Sequence, residues 1–482
     1  MRPPSRRQVS AGPLEPALAG TAGLGARSRA GTWRSEIAGR RALHTMVAAG
    51  LAMVLVAAAR PSPLVIPSKG GWPAWMVGPF QGLAGFLPDD HLVMNAAFTA
   101  ALLAMAGAYL VVLACAEHLP LRPVAVAVAA LHAVFLLGPP LPLTDVFNYI
   151  DYARLGAVHG LNPYVDAPAT VPTDPAYAFS TWHHFVSVYG QLFTLASYGV
   201  AQLGVPAAFW TLKALTAAAS LGCVWLVWRL ARRLGRPPLT AVVLVGLNPL
   251  LLAYGVGGAH NDFFMLLALL GAAVWLADGR EARAGAAAVV AVGLKTSGVL
   301  LLPFMALGAR RRRELLLGAG VAALALGALS LAAFGLHVPA LHKQAELVTP
   351  LSAANLLGLA LGQGGATELV QLGLQVALAG VLAWLLVRTW RGADWITTAG
   401  WATLALVLSL SWEMPWYAAW VLPFTALSAS RALRRATLAL CAFFVLSFAP
   451  LTSYVLADVC DCWPTDTETG QRNDREIRQF LR

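Results

Sequence analysis

The chain has 482 residues, 58% of them hydrophobic and only 12% charged, a balance that a water-soluble protein of this length cannot bury. Its net charge of +11 comes largely from arginines in short loops between apolar runs, the pattern of membrane topology rather than of a nucleic-acid surface. Apolar runs of membrane length recur from residue 43 to residue 456, so the sequence predicts an all-α, multi-pass transmembrane bundle of about 11–13 spans and excludes nucleic acid as a partner.

Residues 1–42, rich in Arg, Gly, Ala and Pro without apolar periodicity, read as a disordered basic cytoplasmic segment. The run 46–59 resembles a signal-peptide core, but the long leader before it favours a first span. Spans are predicted near 43–59, 92–115, 123–141, 208–229, 237–254, 262–277, 314–335, 367–389, 395–411, 415–429 and 436–456. They form one membrane domain over 43–456, without a visible repeat, followed by a polar tail over 457–482.

Orientation follows from the arginines. Arg229, Arg232, Arg233 and Arg236 mark one cytoplasmic loop, Arg280 and Arg283 another, and Arg310 to Arg313 a third. Arg388 and Arg391 mark a fourth, and Arg431, Arg434 and Arg435 a fifth. Segments 142–183, 255–262, 336–355 and 411–416 then share the opposite face, as a loop region with short interfacial helices, and they hold the acids, histidines, asparagines and tryptophans. Two places constrain this count. A full crossing by the helix at 184–204 would export the Arg229 cluster, so that helix is expected to lie along or only partly into the membrane. One span over 283–309 would export Arg310 to Arg313, so two short helices, 283–294 and 297–309, are expected to meet near Lys295.

Five cysteines are too few for a disulfide framework, and Cys460-Asp461-Cys462 is too small a set for a structural metal site. Cys115, Cys223 and Cys441 fall in apolar helices and read as packing residues.

The chemistry-bearing positions begin with "LTDVFNYIDYARLGAVHGLNPY", residues 143–164. Asp145 at a bilayer interface suits a general base taking a proton from an attacking hydroxyl; the other reading is that Thr144 or Asp145 caps a surface helix. Helical spacing from Asp145 gathers Asn148, Tyr149 and Tyr152, with Asp151 and Arg154 on the same helix, the polar and aromatic vocabulary that binds sugars. His183 and His184, after Trp182 and ahead of Tyr189-Gly190, read as interface residues with no further role. In "NPLLLAYGVGGAHND", paired glycines precede His260, Asn261 and Asp262, which suit a phosphate or sugar hydroxyls; Asn261 or Asp262 also suits a helix cap, and His260 with Asp262 lacks a third metal ligand. Lys295 in "GLKTSGVLLLPF" is an ionisable residue inside an apolar stretch, a functional candidate unless it snorkels to the interface. In "LSWEMPWYAAW" the aromatics serve as membrane anchors, which leaves Glu413 unexplained beside Trp416. His342, Lys343 and Glu346 are spare candidates for phosphate contacts.

Taken in order, "TDVFNYIDYARL…GLNPY", "YGQLF", "NPL…GGAHND", "LKTSGVLLLPF" and "PWYAAWVLPF" resemble the bacterial polyprenyl-phosphate-mannose-dependent mannosyltransferases, of the type-C glycosyltransferases, over residues 141–424. The resemblance implies an integral protein of the bacterial inner membrane with its site on the non-cytoplasmic face. It also implies an inverting hexosyl transfer, mannose favoured, from a polyprenyl-phosphate donor to a glycan or glycolipid hydroxyl. Asp145 falls on the family's motif aspartate and would be the base; Asn162 and Tyr164 match its Asn-Pro-Tyr, and His260, Asn261 and Asp262 its His-Asn-Asp. Lys295, His260 and Arg154 would then hold the donor phosphate. Asn148, Tyr149, Asp151, Asn162, Tyr164, Tyr189, Asn261, Asp262, Glu413 and Trp416 would line the substrates. No cofactor is required, because side chains can neutralise a monophosphate leaving group; a divalent metal stays an open option. The chain departs from the family in having Tyr189-Gly190-Gln191 for Tyr-Gly-Pro and Lys295-Thr296 for Lys-Pro, positions where donor or acceptor choice can differ. The alternative from another class is a transporter or flippase for a lipid-linked sugar, which also uses broken helices around an intramembrane charge.

Overall fold

The computed structural model describes residues 19–59, 73–83, 85–86, 88, 90–141, 145–460 and 468–481. Every regular element among them is helical. Five helices are long and apolar enough to cross a membrane: Trp33–Ala58, His91–His118, Val205–Arg233, Arg312–Phe334 and Glu368–Trp390. Arg431–Ser447 and Pro450–Val459, bent by 53° to each other, are together long and apolar enough for either a broken span or a re-entrant loop. The remaining expected spans include shorter apolar helices, among them Leu121–Leu137, Asp262–Ala277 and Trp395–Ser409.

The shortening has local causes. The run 237–254 divides because Pro249 follows Asn248, whose side-chain oxygen accepts from the Leu250 and Leu251 amides at 3.0 and 3.4 Å. That bond starts the π-helical turn Leu251–Val256 after the helix Pro238–Gly246. At the amino end, the helix begins at Ala19, so residues 19–42 are helical where low periodicity had suggested disorder. No proline interrupts it, and Glu36 pairs with Arg40 one turn on at 2.7 Å. Residues 1–18 lie outside the described residues, as do Thr144, Asp461 and Cys462. Cys460 is disulfide-bonded, a bond that the cysteine count had not suggested.

The five arginine loops gather at one end of the bundle. Arg229 and Arg233 reach Asp278 at 3.4 and 2.9 Å, and Arg311 pairs with Glu281 at 3.2 Å. Arg236 donates to the Leu427 carbonyl, while Trp395 sits against Gly308. At the other end, the Asn261 amide donates to Tyr149, His260 stacks on Trp416 and Thr349 donates to the Ser411 carbonyl, which knits the four polar segments together.

Both constrained places fold as the arginines demanded. The helix at 184–204 is Gln191–Ala201, whose 11 residues rise about 16 Å, half a hydrocarbon core. Residues 281–308 form a hairpin, Glu281–Leu294 rising and Thr296–Gly308 returning, with Lys295 extended at its apex (φ −153°, ψ 125°). Fourteen helical residues climb about 21 Å, so Lys295 stops short of the far surface of a core about 30 Å thick.

Candidate active site

Asp145 opens the helix Asp145–Ala157 at the polar end of the bundle. Its side chain retains 15% exposure, and its Oδ2 lies 3.5 Å from His260 Nδ1. Burial pushes the carboxyl up to about 6; the positive Lys295 opposes this, the negative Asp262 adds to it, and a hydrogen bond from the Trp182 indole opposes it again. A carboxylate held there stays ionised at neutral pH while being a better proton acceptor than an ordinary aspartate.

His260 is fixed by its backbone. Gly257 and Gly258 lie so close to the preceding turn that an added Cβ would stand 2.2 Å from the Ala253 carbonyl oxygen and 2.4 Å from that of Leu141. Ala259 then takes φ 55°, the one left-handed non-glycine among the described residues. This turn lays the imidazole flat on Trp416, with ring centroids 3.5 Å apart. Burial first, and Lys295 second, hold His260 well below its ordinary pKa, so a neutral ring faces Asp145.

Beneath this pair, Lys295 Nζ donates to Asp262 Oδ1 at 2.8 Å and to Asn261 Oδ1 at 3.4 Å. Trp420 Nε1 donates to the same Asp262 oxygen at 2.5 Å. The ammonium stands 5.6 and 5.5 Å from the Tyr417 and Trp420 rings, within cation–π range. The Asn261 amide donates to the Tyr149 hydroxyl at 3.3 Å, and the Tyr149 ring meets Tyr189 edge-on at 4.7 Å. Gly190 lets the next chain approach: a Cβ there would stand 2.3 Å from the Gly293 oxygen, just before Lys295.

On the other side of Asp145 opens a narrow cavity of about 40 Å³. Tyr152, Trp182, Tyr189, Trp412 and Trp416 give it aromatic walls, and Gln344 and Leu347 complete the lining. Carboxylate, amide and flat rings are the groups that meet sugar hydroxyls and ring faces. Six of the nine buried side-chain atoms without a hydrogen-bond partner among the described residues belong to Asn148, Asp151, His260, Asn261, Asp262 and Glu413. Unsatisfied polar groups are rare in folded proteins, and here they crowd one region.

Not every expected residue joins the cluster. Arg154 lies apart from it: its guanidinium is held by Asp174 at 2.8 Å and by the Ala201 carbonyl at 3.0 Å. Asn162 forms a turn, accepting from the Tyr164 amide at 3.1 Å and donating to the Phe334 carbonyl at 2.8 Å. Tyr164 donates to the Tyr189 carbonyl and accepts from the Thr194 hydroxyl, both at 2.9 Å, so this pair braces the loop. Asn148 and Asp151 are buried against the 180–181 segment, where burial pushes Asp151 up to about 7. Glu413 accepts from the Ala353 amide at 2.7 Å and so caps the helix Ala353–Ala360. His342 and Glu346 are exposed beside Gln344.

Trp182, Tyr417, Trp420 and Gln344 were not singled out as site residues. Tryptophans at span ends are read as anchors, and only the packing shows their indoles turned inward to Asp145 and Asp262. Among the described residues, no three His, Cys, Asp or Glu side chains gather as a metal-ligand set.

Residues 47–311 match the family model described as "Alpha-(1->6)-mannopyranosyltransferase, N-terminal domain", and residues 348–460 match the "MptB C-terminal domain". The chain is 26% identical over 328 residues to alpha-(1->6)-mannopyranosyltransferase A of Mycobacterium tuberculosis, covering 61% of this chain and 63% of that protein. It is 28% identical over 181 residues to alpha-(1->6)-mannopyranosyltransferase A of Corynebacterium glutamicum, covering 35% of each. The chain thus spans less than two thirds of the length of these curated relatives. No solved structure matches.

Proposed function

Because the chain belongs to the alpha-(1->6)-mannopyranosyltransferase family, we propose that it is a membrane hexosyltransferase that moves mannose from a polyprenyl-phosphate donor to a glycan or glycolipid hydroxyl, with inversion. One observation carries the reading: Asp145, with its carboxyl raised to about 6, separates an aromatic cavity from the recessed Lys295–Asp262 pair.

Asp145 takes the proton of the acceptor hydroxyl as that oxygen bonds to the anomeric carbon. The bond from that carbon to the phosphate oxygen breaks, its electron pair leaves with the polyprenyl phosphate, and the proton departs from Asp145 through the cavity. Lys295 lies where the phosphate of a lipid-borne donor would rest, below the outer surface, and meets its growing charge. Neutral His260 orients the carboxylate. Tyr149, Tyr189 and Trp416 hold sugar faces, with Asn261 and Asp262 at the donor; Asn148 and Asp151 support the base from behind. Arg154, Asn162, Tyr164 and Glu413 shape the loops.

The site is assigned to the non-cytoplasmic face. The arginine loops at the opposite end of the bundle support this, and so does a disulfide at Cys460, since such bonds persist in oxidising compartments. The hairpin broken at Lys295 is also what a lipid-linked-sugar transporter would use. The deciding test is transfer of radiolabelled mannose from polyprenyl-phospho-mannose in membranes holding wild type or Asp145→Asn. The variant is expected to lose about 100- to 10,000-fold at equal expression. Equal transfer by both removes Asp145 as the base, and transfer by neither favours another donor or the transporter.

A further inference from the structure

The helix Glu468–Leu481 lies beyond both matched stretches, which end at residue 460, so the family resemblance gives it no role. It folds back onto the polar end of the bundle. Asn473 is 4% exposed, and its Oδ1 accepts a hydrogen bond of 2.6 Å from the amide of Val348, itself 3% exposed. The adjacent Arg472 reaches Glu368 at 3.3 Å.

Val348 follows directly on Leu347, which with Gln344 forms part of the cavity wall. Within the wall, the Ser411 hydroxyl donates to the Ala345 carbonyl at 3.2 Å. The helix Leu341–Glu346 has no buried residue, and beyond Val348 the next fixed points are Thr349, which donates to the Ser411 carbonyl at 2.9 Å, and Ala353, held by Glu413. Without Asn473, the Val348 amide would be buried and unpaired, a cost that the loop would escape by moving outward.

We propose that Asn473 is a positioning residue that sets the acceptor side of the cavity: the C-terminal helix holds the Gln344–Val348 wall at the distance a glycan acceptor needs. This rests on the transferase reading. The wall is assigned to the acceptor because the cavity's lining comes from polar-end segments, whereas Lys295 and Asp262 lie deeper in the bundle. The bond uses Asn473 as acceptor only, so an aspartate can replace it and an alanine cannot.

The test measures mannosyl transfer by the full chain in detergent, varying a mannose-oligosaccharide acceptor and polyprenyl-phospho-mannose separately. Asn473→Ala is expected to raise the acceptor KM about 2- to 10-fold, the range one buried hydrogen bond carries, with donor KM and kcat nearly unchanged. Asn473→Asp is expected to stay near wild type. Hydrogen exchange read alongside should show faster uptake at Val348 in the alanine variant alone. An unchanged acceptor KM, or equal loss toward both substrates, overturns the proposal. A wild type that transfers nothing overturns the transferase reading, and the acceptor role with it. If the wild type is active but Val348 exchanges alike in all three proteins, the tie itself is absent and the proposal falls on that ground.

Discussion

Lys295 Nζ and Asp262 Oδ1 stand 2.8 Å apart below the polar surface, with Asp262 1% exposed and its second oxygen unpartnered. A buried pair of this kind is costly to break from one side, because the remaining charge keeps its desolvation penalty without its partner. Lys295→Met should therefore destabilise the protein by about 3–5 kcal/mol. Lys295→Met with Asp262→Asn should recover most of that, since an asparagine oxygen can still accept from Trp420. Neither variant should transfer sugar, because both lack the cation for the leaving phosphate. Thermal unfolding in detergent and a transfer assay separate the two effects; a double variant as unstable as the single one would mean the pair is not what holds this region.

The carboxyl of Asp145 at about 6 fixes the sign of a pH effect. A general base works ionised, so kcat/KM should be level above about pH 6 and fall tenfold per unit below it. Trp182 donates a hydrogen bond that favours the ionised form. Trp182→Phe keeps the ring and loses the N–H, so the acid limb should move to higher pH while the plateau rate changes little. A limb that stays put in Trp182→Phe would separate it from Asp145.

Much of this was legible in the sequence because it followed from composition and charge. Apolar runs located nearly every helix, and an ionisable residue inside one of them marked the hairpin apex at Lys295. What was hidden lay in pairings between distant segments. Arg154 looked available until Asp174 came beside it, and Glu413 lacked a structural reason until the Ala353 amide met it. Asn162 and Tyr164 matched a family motif, yet their side chains tie the loop to Phe334, Tyr189 and Thr194. Span lengths were overestimated wherever a proline or polar side chain ended a helix inside an apolar run, as at Asn248-Pro249.

Glu413 offers a stability test independent of catalysis. Burial raises its carboxyl from 4.5 to about 8, against the lowering by the Ala353 amide. The folded protein thus binds a proton that the unfolded chain releases near 4.5. The associated stability is fully present below about pH 4.5 and is lost as pH rises through about 8. Glu413→Gln stays neutral and can still accept from Ala353. Wild type should therefore lose melting temperature from pH 5 to 8 relative to the variant, and parallel curves would contradict the assignment. Glu413→Ala, which orphans the amide, should cost about 1–3 kcal/mol at acid pH as well.

Gly190 tests whether the Tyr189-Gly190 turn positions Lys295. An alanine Cβ there would stand 2.3 Å from the Gly293 oxygen and 2.6 Å from the carbonyl atoms of Leu294, backbone that cannot swing aside as a side chain can. Either the turn or the hairpin must shift, at a cost of about 1–3 kcal/mol. Gly199 on the same helix has nothing within 4 Å of an added Cβ, so Gly199→Ala should leave stability unchanged or raise it by about 0.5–1 kcal/mol. Since Leu294 leads directly into Lys295, the strain in Gly190→Ala should also raise the donor KM more than the acceptor KM. Melting temperature with separate substrate titrations checks both parts. Loss of stability with both KM values unchanged would make Gly190 a packing residue and leave Lys295 positioned by Asp262 and the rings of Tyr417 and Trp420 alone.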